Sequence, residues 1–424
     1  MHIIQPVLFD FDTFIKLPAN DRLLIVLEAL DAEKLMLALE RRHRTGRKGY
    51  SVRGMWAALI AGVLCQCRSI AETVRLLERD KTVRAICGFP GRDEVPTEDA
   101  LGRFVKRVVE RQDLLEECLE RLVERLRQLL PGFGRKLVVD STDIKAYANG
   151  HRRQPSDPDA RWGAKGAGRS PEREVETGSG EAESRRGKKR DVYYWFGYKL
   201  HLLIDPVYEL PVTFTVTPAN VADTQQMPAL LEKAKLERPG RRPEAVIADK
   251  GYDSKSNSDL IYRAYQAAPI IPIIEKPGMQ LPDICNAKGT PTCGCGLPMV
   301  YWGRDGRYLK YRCPDVLGRT KCTDRFRCTP SSYGYVLKLP IGDDARRHPP
   351  VPRETKKWER LYRLRSAVER VNSRVKDLLG LRRLTLRRIA KVTVRCAFSL
   401  LVMLGSAVGM AQRSRFRELR ALVV

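Results

Sequence analysis

The sequence predicts a mixed α/β fold behind an all-helical N-terminal region, and three observations carry that expectation. Residues 1–130 place Leu, Ile, Val and Ala at helical intervals, as in "DRLLIVLEALDAEKLMLALERR". From Lys136 onward, short β-branched runs alternate with helical ones. Between Cys285 and Cys328, six cysteines crowd among prolines and glycines and follow neither pattern.

In the helical region the chain breaks at Gly46, at Gly88 and at Pro90–Gly91. Ser69 with Glu72 forms a capping box that starts "IAETVRLLERD", and Thr97 with Glu98 and Asp99 starts a helix expected to run to about Leu130. Residues 1–130 are therefore expected to be a helical, DNA-end-binding domain, although basic helices of this kind also serve as plain packing units. "KLVVDSTDIKAYA" then opens a second domain, 131–424, with a central strand. Residues 149–190 follow as an expected disordered basic loop, because His151 to Arg190 contains no Leu, Ile, Phe or Met to offset its ordering entropy.

After the loop, "DVYYWFGYKLHLLID" and "ELPVTFTVTP" read as two strands joined at Pro206 to Glu209, and "NVADTQQMPALLEKAKLE" as a capped helix. "EAVIADKGYDS" is a strand ending in a turn, followed by the helix "SDLIYRAYQAA" and the strand "PIIPII". Three antiparallel strands followed by strands on helical crossovers match the order of an RNase H-like sheet. Residues 275–351 interrupt that order as an inserted cysteine-rich subdomain, and the helical pattern returns at "KKWERLYRLRSAVERVNSRVKDLLGL". Cys396 to Ala411 spans roughly 24 Å as a helix, short of the roughly 30 Å of membrane hydrocarbon, so a helix buried against the sheet is expected and no membrane partner.

Charge narrows the function. Lys plus Arg number 77 against 51 Asp plus Glu, a net charge of +26, so a polyanion is the expected partner. The start "MHIIQPVLFD" lacks the basic, apolar and small-residue sections of a secretory signal, and the cysteines are not spaced like a disulfide scaffold. A cytoplasmic protein is expected.

Two acids stand at strand ends, where sites of open α/β sheets collect: Asp140 after "KLVV" and Asp249 after "AVIA". Either alone could be a turn or cap residue. On a helix at about 100° per residue, Tyr362, Arg365, Glu369 and Lys376 share a stripe about 60° wide. That stripe could be a solvated face with Glu369 paired to Arg365 four residues back. Residues 353–395, however, hold 15 Lys or Arg and four Asp or Glu, so Glu369 is an isolated carboxylate among cations suited to phosphate. Asp143, expected on the opposite strand face from Asp140, and Asp253, in the turn beyond Asp249, are read as supporting residues. His201 is read as a packed strand histidine.

The blocks "VVDSTDIKA", "WFGYKLHLLID", "TPANVADTQ", "VIADKGYDS" and "LYRLRSAVERVNSRVK" resemble those of bacterial insertion-sequence transposases of the D-D-E type. Tyr362, Arg365, Glu369 and Lys376 meet the Y-x-x-R-x-x-x-E-x6-K signature of one large group of them. The resemblance covers about 136–400, and Ser51 to Val109 resembles the N-terminal domain of the same proteins. It implies an RNase H-like catalytic core and DNA cleavage and strand transfer at element ends. It also implies a two-ion Mg²⁺ site, with Mn²⁺ as a substitute, held by Asp140, Asp249 and Glu369. Arg365 and Lys376 would hold phosphates, and Tyr362 would touch the DNA near the cut. The partners implied are terminal inverted repeats and target DNA, bound by a homodimer because two ends must be joined. An RNase H-like nuclease without strand transfer and a domesticated DNA-binding protein are the rival readings. Some relatives stack a flipped base on an aromatic residue of the insertion; Trp302, Tyr333 and Tyr335 could do so or could be subdomain core.

The cysteine pairs in "TCGCGLPM" and "YRCPDVLGRTKC", joined by a hairpin turning at Asp305–Gly306, resemble a zinc ribbon. Cys293 or Cys295, with Cys313, Cys322 and Cys328, would supply the thiolates, and buried thiols without metal are the alternative.

Overall fold

The computed structural model describes residues 19–40, 49–165, 192–274, 285–286, 289–323 and 328–420. Its N-terminal part is helical: α1 (Ala19–Ala29), α2 (Glu33–Leu39), α3 (Val52–Leu64), α4 (Ile70–Arg79), α5 (Lys81–Ile86), α6 (Glu98–Val109) and α7 (Gln112–Leu129). Capping side chains start these helices where the sequence offers them. Ser69 Oγ accepts the Glu72 N–H at 3.1 Å, and Glu72 reaches back to the Arg68 N–H at 2.8 Å. Thr97 Oγ1 accepts the Ala100 N–H at 3.3 Å. The helix expected from Thr97 to Leu130 is instead two helices, broken at Glu110–Arg111, so that α6 packs on α4 while α7 reaches the sheet.

The main sheet is mixed. Strands β1 (Lys136–Lys145), β2 (Arg161–Lys165), β3 (Tyr193–Asp205), β4 (Leu210–Pro218), β5 (Ala245–Ala248) and β6 (Ala268–Ile270) run in the order β2-β3-β1-β5-β6, with β4 also on β3. β3 is antiparallel to β1, β2 and β4, whereas β1, β5 and β6 are parallel. Leu137, Val138 and Val139 of β1 and all of β5 are buried, as parallel strands covered on both faces require. Where β1, β2 and β3 meet, a Cβ on Gly197 would lie 2.1 Å from the Ile144 carbonyl oxygen, so only glycine fits.

β2 departs from expectation, since it lies within the segment expected to be disordered. An edge strand pairs through its backbone and needs no alternating apolar pattern, and Gly163 lets the Trp195 ring close over it: a Cβ there would be 2.7 Å from the ring. Residues 166–190 of that segment lie outside the described residues.

Helices α8 (Gln226–Lys233) and α9 (Lys255–Asp259), the latter continued by a π turn, make the crossovers. A second, three-stranded antiparallel sheet, β7 (Val300–Asp305), β8 (Tyr308–Arg312) and β9 (Val336–Pro340), has its own small core around Cys293, Met299, Leu309, Tyr311 and Leu339. Its first turn is Gly306–Arg307, one residue later than expected, because Asp305 still pairs with Tyr308.

The C-terminal part comprises α10 (Lys356–Arg363), a 3₁₀ turn over Leu364–Ser366, α11 (Ala367–Ser373), a π turn over Arg374–Leu378, and α12 (Ile389–Gln412). By length and composition α12 could cross a membrane, but the rest of the chain buries it. It packs on α1, α3, α6 and α7 and, as expected of a helix buried against the sheet, on β4. Gly409 meets α1 so closely that a Cβ would lie 2.2 Å from Ile25.

The turn between β3 and β4 is tied to α11. Glu209, buried and at φ +55°, meets Arg370 at 2.7 Å, Arg374 at 2.9 Å and Arg420 at 3.2 Å. Arg374 is also well covered, so removing the carboxylate leaves a buried cation without compensation. Glu209→Gln is expected to destabilise the protein by about 2–4 kcal/mol in urea unfolding. A change within about 0.5 kcal/mol would show that the three arginines do not depend on it.

Candidate active site at the ends of two parallel strands

The β1–β5 register runs from Lys136 opposite Ala245 to Val139 opposite Ala248. Asp140 and Asp249 are therefore the first residues past the paired segment, side by side; Asp249 follows the end of β5 as expected, whereas Asp140 lies within β1, which runs on to Lys145 in its ladder with β3. Asp249 caps the 3₁₀ turn that follows it, Oδ1 accepting the Gly251 N–H at 2.8 Å. Asp140 accepts the Ser141 N–H and lies 3.5 Å from Asn372 Nδ2 of α11. Burial, with the neighbouring Asp249 charge added, pushes the Asp140 carboxyl up to about 6, against the pull of the Ser141 N–H, Lys165 and Arg365. The site thus holds two acids close together, one of them, Asp140, disfavoured as an anion chiefly by its burial.

β1 continues beyond the end of β5, and the helical run from Ala367 to Leu378 lies along the edge left open. Asn372 faces Asp140 there, and one turn on Lys376 Nζ binds Asp143 Oδ1 at 2.8 Å. Alternation puts Asp140 and Asp143 on opposite strand faces, yet one helix serves both because it lies at the edge. Lys376 pulls the Asp143 carboxyl below its ordinary range despite burial.

The signature residues do not sit on one uninterrupted α-helix, since the 3₁₀ and π turns divide it. Arg365 lies in the 3₁₀ turn beside β5, close enough for its charge to act on Asp140, and Tyr362 feels the charges of Arg365 and Asp249. Tyr362 stacks on Trp358, ring centroids 4.8 Å apart. Glu369 is turned toward Arg365, Oε1 to Nη2 2.9 Å, and is largely exposed. Asp140, Asp249, Arg365 and Tyr362 are thus gathered, whereas Glu369 stands one turn away. Among the described residues, no group of three carboxylates has oxygens within 4.8 Å of one another.

A polar network beneath β1 was not singled out from sequence. Asp223, just before α8, accepts from Ser141 Oγ at 2.9 Å and from Lys199 Nζ at 2.9 Å. His201 is fully buried, with Nε2 2.9 Å from Thr217 Oγ1, and burial lowers it to about 4, so it is neutral at pH 7. The available signal was the alternation of Lys199, His201 and Thr217 with apolar residues, which marks a polar patch on one face of a buried sheet. Asp253 makes a bidentate pair with Arg346, both bonds 2.7 Å, tying the turn beyond Asp249 to the segment after β9.

In the second sheet, Cys293, Cys295 and Cys328 bring their sulfurs within 4.8 Å of one another. Cys295 and Cys328 are 3.5 Å apart, and hydrogen bonding with Cys328 and then Cys322 pushes the Cys295 thiol up to about 12. Cys293 and Cys295 both enter the group, where only one of them was expected. Cys313, the residue after β8, is not in that group: its N–H binds the Tyr335 carbonyl and its Cβ faces Gly334. Trp302 and Tyr333 are exposed and flank the Arg312 guanidinium at 4.5 and 3.5 Å, while Tyr335 packs on the small core.

The raised Asp140 pKa has a stability consequence. The folded protein holds this proton more tightly than the unfolded chain, so ionisation costs stability as pH rises from the ordinary carboxylate range through about 6. Without metal, Asp140→Asn is expected to raise Tm by roughly 1–4 °C at pH 7.5 and to leave it unchanged at pH 4. A gain that is equal at both pH values would exclude this carboxyl as its source.

Comparison with known families gives two matches: a Transposase DDE domain over residues 131–404 and a Transposase domain (DUF772) over residues 11–107. Among solved structures, a piggyBac transposase synaptic complex with hairpin DNA aligns at 10% identity and a TM-score of 0.38, covering 95% of this chain and 79% of that one. No curated protein matches.

Proposed function

The chain belongs to the DDE-domain transposase family, and from that premise we propose that it cuts and rejoins DNA at the ends of a mobile element through Asp140, Asp249 and Glu369. The observation that carries this reading is the adjacency of Asp140 and Asp249 where the pairing of two parallel strands ends, with Asp140 raised by burial and by its neighbour. Such a pair supplies hard, anionic oxygen donors close together, which fit a divalent cation of the Mg²⁺ or Mn²⁺ class. When bound, such ions would favour deprotonation of an attacking water or 3′-hydroxyl and stabilise the departing oxygen.

The chain's own residues do the remaining work. On this reading Arg365 exchanges Glu369 for a DNA phosphate, freeing the Glu369 carboxylate to join the two aspartates. Lys376 holds a second phosphate beside Asp143, and Tyr362, stacked on Trp358, bears on the strand near the cut. The reading includes an RNase H-like core over 131–424, with the 275–351 insertion inside it. The 1–130 helices bind terminal repeats, and two chains work together in the cytoplasm. The net charge of +26 supports DNA as partner. A structural zinc in the insertion, on Cys293, Cys295 and Cys328, is supported by their sulfur distances and by a core too small to stand alone, and Cys322, which hydrogen-bonds with Cys295, would be the fourth thiolate.

Pre-cut element ends incubated with target DNA and Mg²⁺ test the reaction. Joined products support the proposal, nicking alone favours a nuclease, and salt-sensitive binding without reaction favours a DNA-binding protein. Asp140→Ala, Asp249→Ala and Glu369→Ala should each reduce joining to background while DNA binding survives; activity in any one removes that residue from the site. Arg365→Ala should reduce the salt slope of DNA binding by about 1, and an unchanged slope rejects a phosphate contact. Metal analysis should find near one zinc per chain, lost in Cys295→Ser and Cys328→Ser and kept in Cys313→Ser. Purified protein without zinc ends that assignment.

A further inference from the structure

Asp223 lies outside the three carboxylates, yet it connects the segments that carry two of them. Its Oδ2 accepts from Ser141 Oγ at 2.9 Å, and Ser141 gives its backbone N–H to the Asp140 carboxylate. Its Oδ1 accepts from Lys199 Nζ at 2.9 Å, and the same ammonium binds the Val221 carbonyl at 2.9 Å, fixing the loop that bears Asp223 to β3. The next residue reaches the other aspartate's turn: Asn257 Nδ2 donates to the Thr224 carbonyl at 3.2 Å and to the Tyr252 carbonyl at 3.0 Å. Tyr252 closes the 3₁₀ turn that Asp249 caps. Two successive residues at the start of the α8 segment thereby hold the end of β1 and the turn after β5.

We propose that Asp223 is a positioning residue that sets the spacing of Asp140 and Asp249, and through it their affinity for a divalent cation. The inference rests on the reading that these two aspartates hold that cation. Hydrogen-bonding groups behind metal ligands commonly change metal affinity or activity 10–100-fold when removed. Here the action passes through the backbone, because the Ser141 hydroxyl and N–H bind the two acids on either side of one peptide unit. A plain structural role, in which Asp223 only balances Lys199, predicts lost stability with no change in metal response.

The test is Asp223→Asn in the full chain, which keeps size and an acceptor for Ser141 but loses the charge that holds Lys199. The Mg²⁺ concentration for half-maximal joining of pre-cut ends should rise about 10-fold or more. The Tm increase on adding Mn²⁺, measured without DNA, should shrink in parallel, while DNA binding in EDTA stays within about twofold. A lowered Tm with an unchanged Mg²⁺ requirement and Mn²⁺ response overturns the proposal. Should Asp223→Asn fail to fold, Ser141→Ala cuts the same link and leaves the Asp223–Lys199 pair; an unchanged metal response in that variant also overturns it. Wild-type protein that neither joins ends nor responds to Mn²⁺ removes the premise itself, a result distinguishable from a variant that behaves as wild type.

Discussion

The site depends on where one strand pairing stops. β1 and β5 are bonded in parallel up to Val139 and Ala248, and the next residue on each is an aspartate. Asp249 is thereby freed to cap the turn after β5, while Asp140 stays in β1, still paired with Leu202 of β3. The end of the β1–β5 pairing leaves the two acids adjacent, and burial raises the Asp140 carboxyl to about 6.

That arrangement is held from three directions by charges that pair locally. Glu209 binds Arg370 and Arg374 and so fixes the helix that runs along the open edge of β1. Asp253 and Arg346 join the turn after Asp249 to the chain emerging from the second sheet. Asp223 reaches under β1 from the start of α8. Glu209, Arg374, Asp253, Arg346, Asp223 and Lys199 are all at least partly buried, unlike the partners of exposed surface pairs, which contribute little. α12 adds the apolar counterpart, a buried helix shared by the N-terminal helices and β4, so that one core runs from Leu23 to Leu419.

Much of this was legible in the residues. Helix starts at Ser69 and Thr97 could be read because a capping hydroxyl acts within three residues of sequence. Asp249 could be placed at a strand end because it follows a short apolar run, whereas Asp140 follows one too but lies in mid-strand, since β1 continues in its ladder with β3 to Lys145. β2 could not be read, since an edge strand needs backbone partners rather than an apolar pattern. The stripe from Tyr362 to Lys376 assumed a constant 100° per residue, and the 3₁₀ and π turns violate that assumption on either side of Glu369. Asp223 was read as part of a helix start because its partners, Ser141 and Lys199, are 82 and 24 residues away. Cys313 shows the same limit: spacing alone does not reveal that the three sulfurs within 4.8 Å of one another are those of Cys293, Cys295 and Cys328.

The ion pairs around the candidate site also bear on how a chain with a net charge of +26 keeps a strongly basic helix folded. Arg365 is held by Glu369, which is largely exposed, and Lys376 by Asp143, which is partly covered on β1. Like charges gathered on one helix repel one another, and an acid within each pair reduces that cost. On the proposed reading, a phosphate entering there offers each cation a partner of higher charge, so a carboxylate is released wherever a phosphate is gained. The acid freed from Arg365 would be Glu369, the one member of the three that stands apart in this structure. Assembly of the site would then be coupled to DNA contact through Arg365: without a phosphate to bind the guanidinium, Glu369 has a better partner than the aspartates, both of which share its charge.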